Sequence, residues 1–118
     1  MEDTRLAHGI HFHGVGKCDA GTTPFASAGP HFNPDAKQHG LENANGPHAG
    51  DMPSVTVEAN GSANVTLTTS RVTLGEGPRS LLDADGSAIV LHAAPDDQRT
   101  DPSGNSGARI ACGVITRS

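Results

Sequence analysis

The tripeptide His11-Phe12-His13 constrains the fold more than any other part of the sequence. Alternate side chains of a β-strand lie on the same face, so in a strand these two histidines point in the same direction. Neutral imidazole is the commonest protein ligand for zinc and copper, and a strand holds two imidazoles with little conformational freedom. The tripeptide therefore predicts a strand that carries half of a metal site. His8 has the opposite parity to His11, so we expect it to brace backbone rather than bind metal.

The other histidines of the chain are His31, His39, His48 and His92. A single histidine is more often structural or exposed than a metal ligand. Seven of them in 118 residues that contain no Tyr or Trp are harder to explain in that way. The whole set therefore favours a metal site.

Alternating apolar and polar residues predict a β-protein whose strands each have one solvent-exposed face. The predicted strands after the first are 54–58, 63–68, 87–92 and 110–115, the last of them buried. Asn60-Gly61 predicts a hairpin turn between two of them, and Asp85-Gly86 predicts a turn before the next. Residues 14–52 lack periodicity, and 15 glycines with few aromatic residues are typical of a loop-rich chain. A loop of that length normally has a function or an internal tether.

Composition limits the functional classes. The length fits a single domain over residues 1–118, and no apolar run approaches the roughly 18 residues that a membrane helix needs. The formal net charge is −5 with no basic run, so a nucleic-acid partner is not expected. The first residues, Met1 to Arg5, lack the apolar region of a signal peptide.

The two cysteines are Cys18, in the long loop, and Cys112, in the last predicted strand. They are either two unpaired thiols or a disulfide that pins the loop to the sheet. A disulfide would suit an oxidising compartment.

Four motifs in this sequence resemble the copper/zinc superoxide dismutase family, in the family's order and from about residue 8 to residue 115. The spacing from His13 to Cys18 and the segment 96–108 are similar to the bacterial branch. The four motifs are His8-Gly-Ile-His-Phe-His13, Ser27-Ala-Gly-Pro-His-Phe-Asn-Pro34, His48-Ala-Gly-Asp51 and Arg109-Ile-Ala-Cys-Gly-Val-Ile115.

The resemblance implies an all-β Greek-key sandwich or barrel. Family members carry about three strands before the segment that matches His8–His13, whereas only residues 1–7 precede it here. We therefore expect an N-terminally truncated barrel of about five strands plus long metal-binding loops. A barrel without those strands would leave Val65 and Leu67 uncovered, together with the inward residues of the strands around Val55, Val90 and Ile110. Self-association, most simply as a homodimer, is therefore expected.

The resemblance also implies the ligands of two metals, with His31 shared between them as an imidazolate bridge. Asp96 would accept hydrogen bonds from His11 and His39 and so couple the two sites. Arg109 would dock a small anion beside the copper. The implied copper ligands are His11, His13, His31 and His92; the implied zinc ligands are His31, His39, His48 and Asp51; and the implied disulfide joins Cys18 to Cys112.

The implied activity is the disproportionation of superoxide to dioxygen and hydrogen peroxide at the copper ion. A periplasmic or extracellular location is favoured by the family and the cysteine pair. One alternative is a non-enzymatic copper- or zinc-binding domain of the same fold. A zinc hydrolase is less compatible, because closed ligand sets leave no zinc-bound water.

Overall fold

The computed structural model describes residues 6–116, which form an all-β arrangement of short antiparallel strands joined by long loops. No helix in this part of the chain is long and apolar enough to cross a membrane. A 3-10 turn, Ala26–Ala28, lies in the first long loop. The strands are β1 (Leu6–His8), β2 (Ile10–His13), β3 (Val55–Val57), β4 (Ala88–His92) and β5 (Arg109–Val114).

The larger sheet contains three strands in the order β2-β4-β5. His11 lies opposite Val90, which in turn lies opposite Cys112, and His13 lies opposite Ala88. Strand parity puts His11, His13 and His92 on one face of this sheet, and all three are buried. The prediction that His11 and His13 share a strand face is therefore confirmed. We call this side of β2-β4-β5 the histidine face.

The chain changes sheets at Gly9, where the predicted single strand divides into two. β1 pairs with β3 in a separate two-stranded sheet, and β2 starts one residue later. A Cβ on Gly9 would lie 2.8 Å from the Cβ of Ser106, so only glycine fits this close approach. His8 donates from Nδ1 to the His92 carbonyl oxygen at 2.8 Å, which confirms that it braces backbone.

Strand β3 confirms the prediction over residues 54–58 in a shorter form, but the strand predicted at 63–68 is wrong. Asn60-Gly61 does form a turn: the Glu58 N–H donates to the Ser62 oxygen at 2.8 Å. Among the described residues no ladder continues from this turn, and Val65 is 49% exposed. Alternation alone does not make a strand, because the backbone also needs a hydrogen-bonding neighbour.

Two small apolar clusters lie on opposite sides of the three-stranded sheet. Ala28, Ala88 and Val90 pack with the disulfide under the histidine face. The second cluster is built on Phe32, Ala49 and Leu81, with Phe12, Val72 and Ile115 against it.

Burial differs from the sequence prediction at several positions. Val55 and Val90 are buried, so the expectation that they lack cover is wrong. Strand β5 is largely exposed rather than buried, with Ile110 at 49% and Val114 at 45%. The reason is that β5 pairs only with β4 among the described strands and so lies at the edge of its sheet.

A disulfide joins Cys18 in the long loop to Cys112 in β5, with the two Cα atoms 5.7 Å apart. The predicted pairing is therefore confirmed, and the alternative of two free thiols is wrong. The bond ties the 14–52 loop to the sheet beside Val90. Because it closes a loop with a sequence separation of 94, it restricts the unfolded chain strongly.

We predict that replacing Cys18 and Cys112 together with serine lowers the free energy of unfolding by about 4 kcal/mol. The cause is the restored chain entropy of the unfolded state. Urea denaturation of both proteins, without metal, measures the difference. Equal unfolding free energies would show that the loop is held in place by other contacts.

Candidate metal centre

All seven side chains expected to bind metal are buried together between the histidine face and the 31–51 loop. None of their residues is more than 7% exposed. His11, His13 and His92 come from β2 and β4, while the loop contributes His31, His39, His48 and Asp51. The rings of His11 and His31 are stacked with centroids 4.0 Å apart, so the two groups of side chains adjoin.

The first group contains His11, His13, His31 and His92, whose nitrogens can all lie within 4.8 Å of one another. Two of these rings, His13 and His92, each donate one hydrogen bond to a backbone carbonyl oxygen. His13 donates from Nδ1 to the Gly29 carbonyl oxygen at 2.8 Å, and His92 donates from Nδ1 to the Gly107 carbonyl oxygen at 3.1 Å. A neutral ring that carries its proton on Nδ1 has a lone pair on Nε2.

Those lone pairs face each other, because His13 Nε2 and His92 Nε2 are 3.4 Å apart. Two acceptors at this distance repel unless a proton or a metal cation lies between them. His11 Nδ1 and His31 Nε2 are also buried and lack a hydrogen-bond partner. The four nitrogens together therefore fit a cation that prefers imidazole, such as copper.

The second group surrounds one oxygen of Asp51. Asp51 Oδ1 lies 2.8 Å from His39 Nδ1, 3.3 Å from His31 Nδ1 and 3.5 Å from His48 Nδ1. The other oxygen, Oδ2, accepts from the backbone N–H groups of Gly40 and His48. Three imidazoles and one carboxylate are a donor set that closes the tetrahedral shell of zinc.

His48 lies at the edge of this second group. The atoms around Asp51 that all lie within 4.8 Å of one another belong to His11, His31, His39 and Asp51, with His48 outside that set. His48 Nδ1 is nevertheless 3.2 Å from His31 Nδ1, and its Nε2 lies 3.5 Å from Asp101 Oδ1. His11 appears in the set because its ring stacks on His31, although its Nε2 donates elsewhere.

His31 differs from the other histidines because both of its nitrogens face candidate ligand atoms. Its Nδ1 points at Asp51 and His48, and its Nε2 is buried among the first group without a hydrogen-bond partner. In the described part of the chain, no hydrogen bond to a carbonyl fixes either nitrogen. Such a ring is chemically able to contact two cations at once.

Asp96 accepts a hydrogen bond from one histidine of each group. His11 Nε2 donates to Asp96 Oδ2 at 2.6 Å, and His39 Nε2 donates to Asp96 Oδ1 at 2.8 Å. Both predicted hydrogen bonds are therefore present. In the neutral rings they leave the lone pair on Nδ1, the atom that faces its group; His39 Nδ1 is buried 2.8 Å from Asp51 Oδ1.

Burial controls the protonation of the first group. It lowers the pKa of His13 to about 2, helped by the nearby charges of His31 and Arg109. Burial also lowers the pKa of His31 to about 4, against the opposing effect of Asp51, and that of His92 to about 4. These rings are therefore neutral at pH 7 and available as ligands.

In the second group, hydrogen bonds and neighbouring charges outweigh the effect of burial on the pKa values. Burial by itself would lower the pKa of His39, but hydrogen bonds to Asp51 and Asp96 outweigh it and raise the pKa to about 9. Burial likewise opposes ionisation of both carboxyl groups, yet the histidines around them hold the pKa of Asp51 and of Asp96 far below the usual range. A positive charge therefore belongs between His39 and Asp51, supplied by a proton or by a metal.

Arg109 lines an open cleft of about 550 Å³ that leads to the first group. The cleft also exposes edges of His13, His31, His92 and Lys37. Arg109 Nη1 donates to the Phe25 carbonyl oxygen at 2.8 Å, and partial burial lowers its pKa. The guanidinium is thus fixed at the cleft wall, with further N–H groups available to a small anion.

Several supporting residues were missed by the sequence prediction. Asp101 Oδ1 accepts from the His39 backbone N–H at 2.8 Å, and Arg71 Nη2 donates to the Asp51 carbonyl oxygen at 2.7 Å. Gln98 contacts both the His39 and the Asp51 segments. No sequence pattern marks these side chains, because their partners lie far away along the chain.

Gly104 leaves room for the Asp96 carboxylate. A Cβ at this position would overlap Asp96 Oδ1 and would lie 2.8 Å from His39 Nε2. Its φ of 68° also lies in the left-handed region. We predict that Gly104→Ala lowers the free energy of unfolding by about 2–4 kcal/mol, about 1–2 from the backbone and the rest from displacement of Asp96. Urea unfolding of the metal-free protein measures this.

Gly61→Ala is the matched control. Gly61 has a φ of 86°, but a Cβ there would meet nothing within 4 Å. It should therefore show the backbone cost alone, about 1–2 kcal/mol. Equal losses in the two variants would mean that Asp96 is not held by this close contact.

Comparison with known proteins agrees with this geometry. A family model described as copper/zinc superoxide dismutase matches residues 3–115. The chain is 49% identical over 107 residues to a Cu-Zn superoxide dismutase of Aquifex aeolicus, covering 90% of this chain and 62% of that protein. It is also 49% identical over 111 residues to the enzyme of that name from Caulobacter vibrioides, covering 92% and 63%.

A solved structure shows the same fold. The crystal structure of an SOD-like protein from Bacillus subtilis superposes with a TM-score of 0.85 at 40% identity, covering 98% of this chain and 76% of that one. The chain spans about 62% of the length of the Aquifex relative. The antiparallel sheets described above are thus part of a Cu/Zn superoxide dismutase-type β-sandwich, and the chain belongs to the copper/zinc superoxide dismutase family.

Proposed function

We propose that this chain carries a superoxide dismutase centre, with copper held by the first group and structural zinc by the second. The observation that carries this proposal is the pair of facing lone pairs on His13 and His92, 3.4 Å apart, beside an unpartnered His31 Nε2. Copper at such a nitrogen site supplies reversible one-electron chemistry, and zinc supplies fixed charge and structure. Two superoxide ions and two protons then give one dioxygen and one hydrogen peroxide.

Arg109 has the role of docking substrate in this proposal. Superoxide is a small anion, and the guanidinium offers it both charge and directed N–H groups at the wall of the cleft. Lys37 lines the same cleft, so two cationic side chains face one carboxylate, Asp101, among its lining residues, although the formal net charge of the chain is −5. A positive cleft raises the encounter rate with an anion.

His31 is proposed to supply one nitrogen to each metal, and to carry a proton on Nε2 when that nitrogen is not bound to copper. Its two nitrogens face the two groups, and the ring lines the cleft beside Arg109. A proton held at Nε2 would therefore be close to an anion docked on the guanidinium. This position suits delivery of one of the two protons that peroxide formation consumes.

A non-enzymatic metal-binding domain is the second candidate. The observation in its favour is that one relative, 44% identical over 108 residues, is named superoxide dismutase-like in Bacillus subtilis. In this chain, however, all four copper-group histidines and Arg109 line or adjoin the cleft. A zinc hydrolase finds less support, because three imidazoles and Asp51 would close the zinc shell.

We predict that His31→Ala abolishes superoxide turnover and weakens the binding of both metals. The reason is that one ring supplies a nitrogen to each group. Elemental analysis after dialysis and a superoxide-consumption assay measure the two effects. His8→Ala is the control, since His8 is outside both groups and should leave both metals bound. Loss of only one metal from the His31 variant would contradict the bridge.

We predict that Arg109→Glu lowers superoxide turnover at least tenfold while copper and zinc content stay unchanged. The wild-type rate should also fall as ionic strength rises. Arg79→Glu makes the same change of charge at an exposed residue paired with Asp35, outside the cleft, and serves as the control. A rate insensitive to both Arg109 and salt would reject the docking role.

We also propose that the chain self-associates through the face opposite the histidines. That face carries Ile10, Ile89 and Leu91, which line a shallow groove between strands β2, β4 and β5. Ile110 and Val114 of β5 are about half exposed, and β5 has no neighbour at its outer edge in the described sheet. Pairing with a second copy would cover both the apolar groove and the strand edge.

We predict a dimer in solution at micromolar concentration, and that Leu91→Lys shifts it to monomer. A buried ammonium group at the centre of the proposed interface is costly. Thr56→Lys, on the exposed position of β3, is the control and should stay dimeric. Sedimentation velocity distinguishes the states, and a monomeric wild-type protein would reject the proposal.

The compartment is proposed to be oxidising, as in a bacterial periplasm or an extracellular space. The support is the Cys18–Cys112 disulfide, which persists most readily where thiols are not kept reduced.

A further inference from the structure

Gln98 joins two segments of the zinc loop through its side-chain amide. Its Oε1 accepts from the Leu41 backbone N–H at 3.2 Å, and its Nε2 donates to the Met52 carbonyl oxygen at 3.0 Å. Leu41 lies two residues after His39, and Met52 follows Asp51 directly. One side chain thus contacts the backbone beside each of two proposed zinc ligands.

The backbone of Gln98 makes a second set of contacts to the same regions. Its N–H donates to Asp96 Oδ1 at 2.7 Å, and its carbonyl oxygen accepts from the Glu42 N–H at 3.0 Å. Gly40 packs so closely against the Gln98 carbonyl that a Cβ on Gly40 would overlap it. The loop that carries Asp96 and the loop that carries His39 are therefore docked at this one residue.

Gln98 holds this position in a costly conformation. Its φ of 60° is in the left-handed region, which glycine adopts freely and a glutamine only at a cost of about 1–2 kcal/mol. If only the backbone contacts mattered, glycine would fit at lower energy. The amide offers what glycine lacks, an acceptor and a donor on one rigid planar group.

We propose that Gln98 is a positioning residue for zinc binding. Its side-chain amide, which we call the clip, holds the His39 and Asp51 segments at the spacing that the ion needs. The inference rests on the proposed zinc site and names a residue outside both ligand groups. Held by the clip, His39 Nδ1 and Asp51 Oδ1 already lie 2.8 Å apart. Ligands that are fixed before the ion arrives lose less conformational entropy on binding.

The test is the affinity of the full chain for zinc alone, measured by competition with a chromophoric chelator. Gln98→Leu keeps the size of the side chain but removes both hydrogen bonds, and it should weaken zinc binding about tenfold. Gln98→Glu keeps the acceptor for the Leu41 N–H, so its zinc affinity should lie between those of the wild-type protein and Gln98→Leu. Gln98→Gly relieves the backbone cost, so it should bind zinc as weakly as Gln98→Leu without losing metal-free stability in urea.

Gln38→Leu is the matched control, because Gln38 adjoins His39 but is exposed, and within residues 6–116 its side chain accepts one hydrogen bond, from Asn43 Nδ2. It should bind zinc as the wild-type protein does. If Gln98→Leu does not fold, the glycine and glutamate variants decide the question.

Zinc affinity equal to wild type in Gln98→Gly or in a folded Gln98→Leu would overturn the clip while leaving the zinc site intact. A wild-type protein that binds no zinc would overturn both the clip and the proposed zinc site. The two failures are therefore distinguishable without copper or superoxide.

Discussion

A buried carboxylate, Asp96, fixes one ring in each of the two candidate metal groups. It accepts N–H bonds from His11 Nε2 and His39 Nε2, and both rings are inaccessible to solvent. Burying an anion is expensive unless several donors surround it, and here the Gln98 N–H is a third. Because Asp96 sets the tautomer of both rings, the same carboxylate aims a lone pair of each toward its group.

Buried histidines occupy much of the interior around Asp96, and the apolar core of the described residues is small. The two apolar clusters are small, and the largest fully buried side chains include His11, His13 and His39. The facing lone pairs of His13 and His92 repel each other, and the carboxylate of Asp51 is a buried negative charge beside His39. Both arrangements become favourable only when a cation, either a proton or a metal ion, lies between the partners. Metal binding and folding are therefore expected to be coupled, and the Cys18–Cys112 bond packs with Ala88 and Val90 under the same histidine face.

Strand parity and motif spacing predict the local parts of this structure well. They place His11 and His13 on one buried face, and the family resemblance adds the contacts of Asp96. They do not predict that residues 63–68 lack a strand, because a strand depends on a neighbour that alternation cannot reveal. The sequence also conceals Gln98, whose partners at Leu41 and Met52 are brought to it only by the folded loops.

The exposed face of β2-β4-β5 and the metal centre lie on opposite sides of the same three strands. His11 and Val90 point to one side while Ile10 and Leu91 point to the other, so one register determines both surfaces. A slip of one residue would exchange them. The catalytic proposal and the self-association proposal therefore depend on the same pairing of β2 with β4.

In the proposed centre, two different metals occupy adjoining sites that share His31. Crystals grown with copper and zinc, with anomalous diffraction recorded at each absorption edge, test this arrangement. We expect a copper peak among His11, His13, His31 and His92, and a zinc peak among His31, His39, His48 and Asp51. A single metal peak, or two peaks that do not share His31, would contradict it.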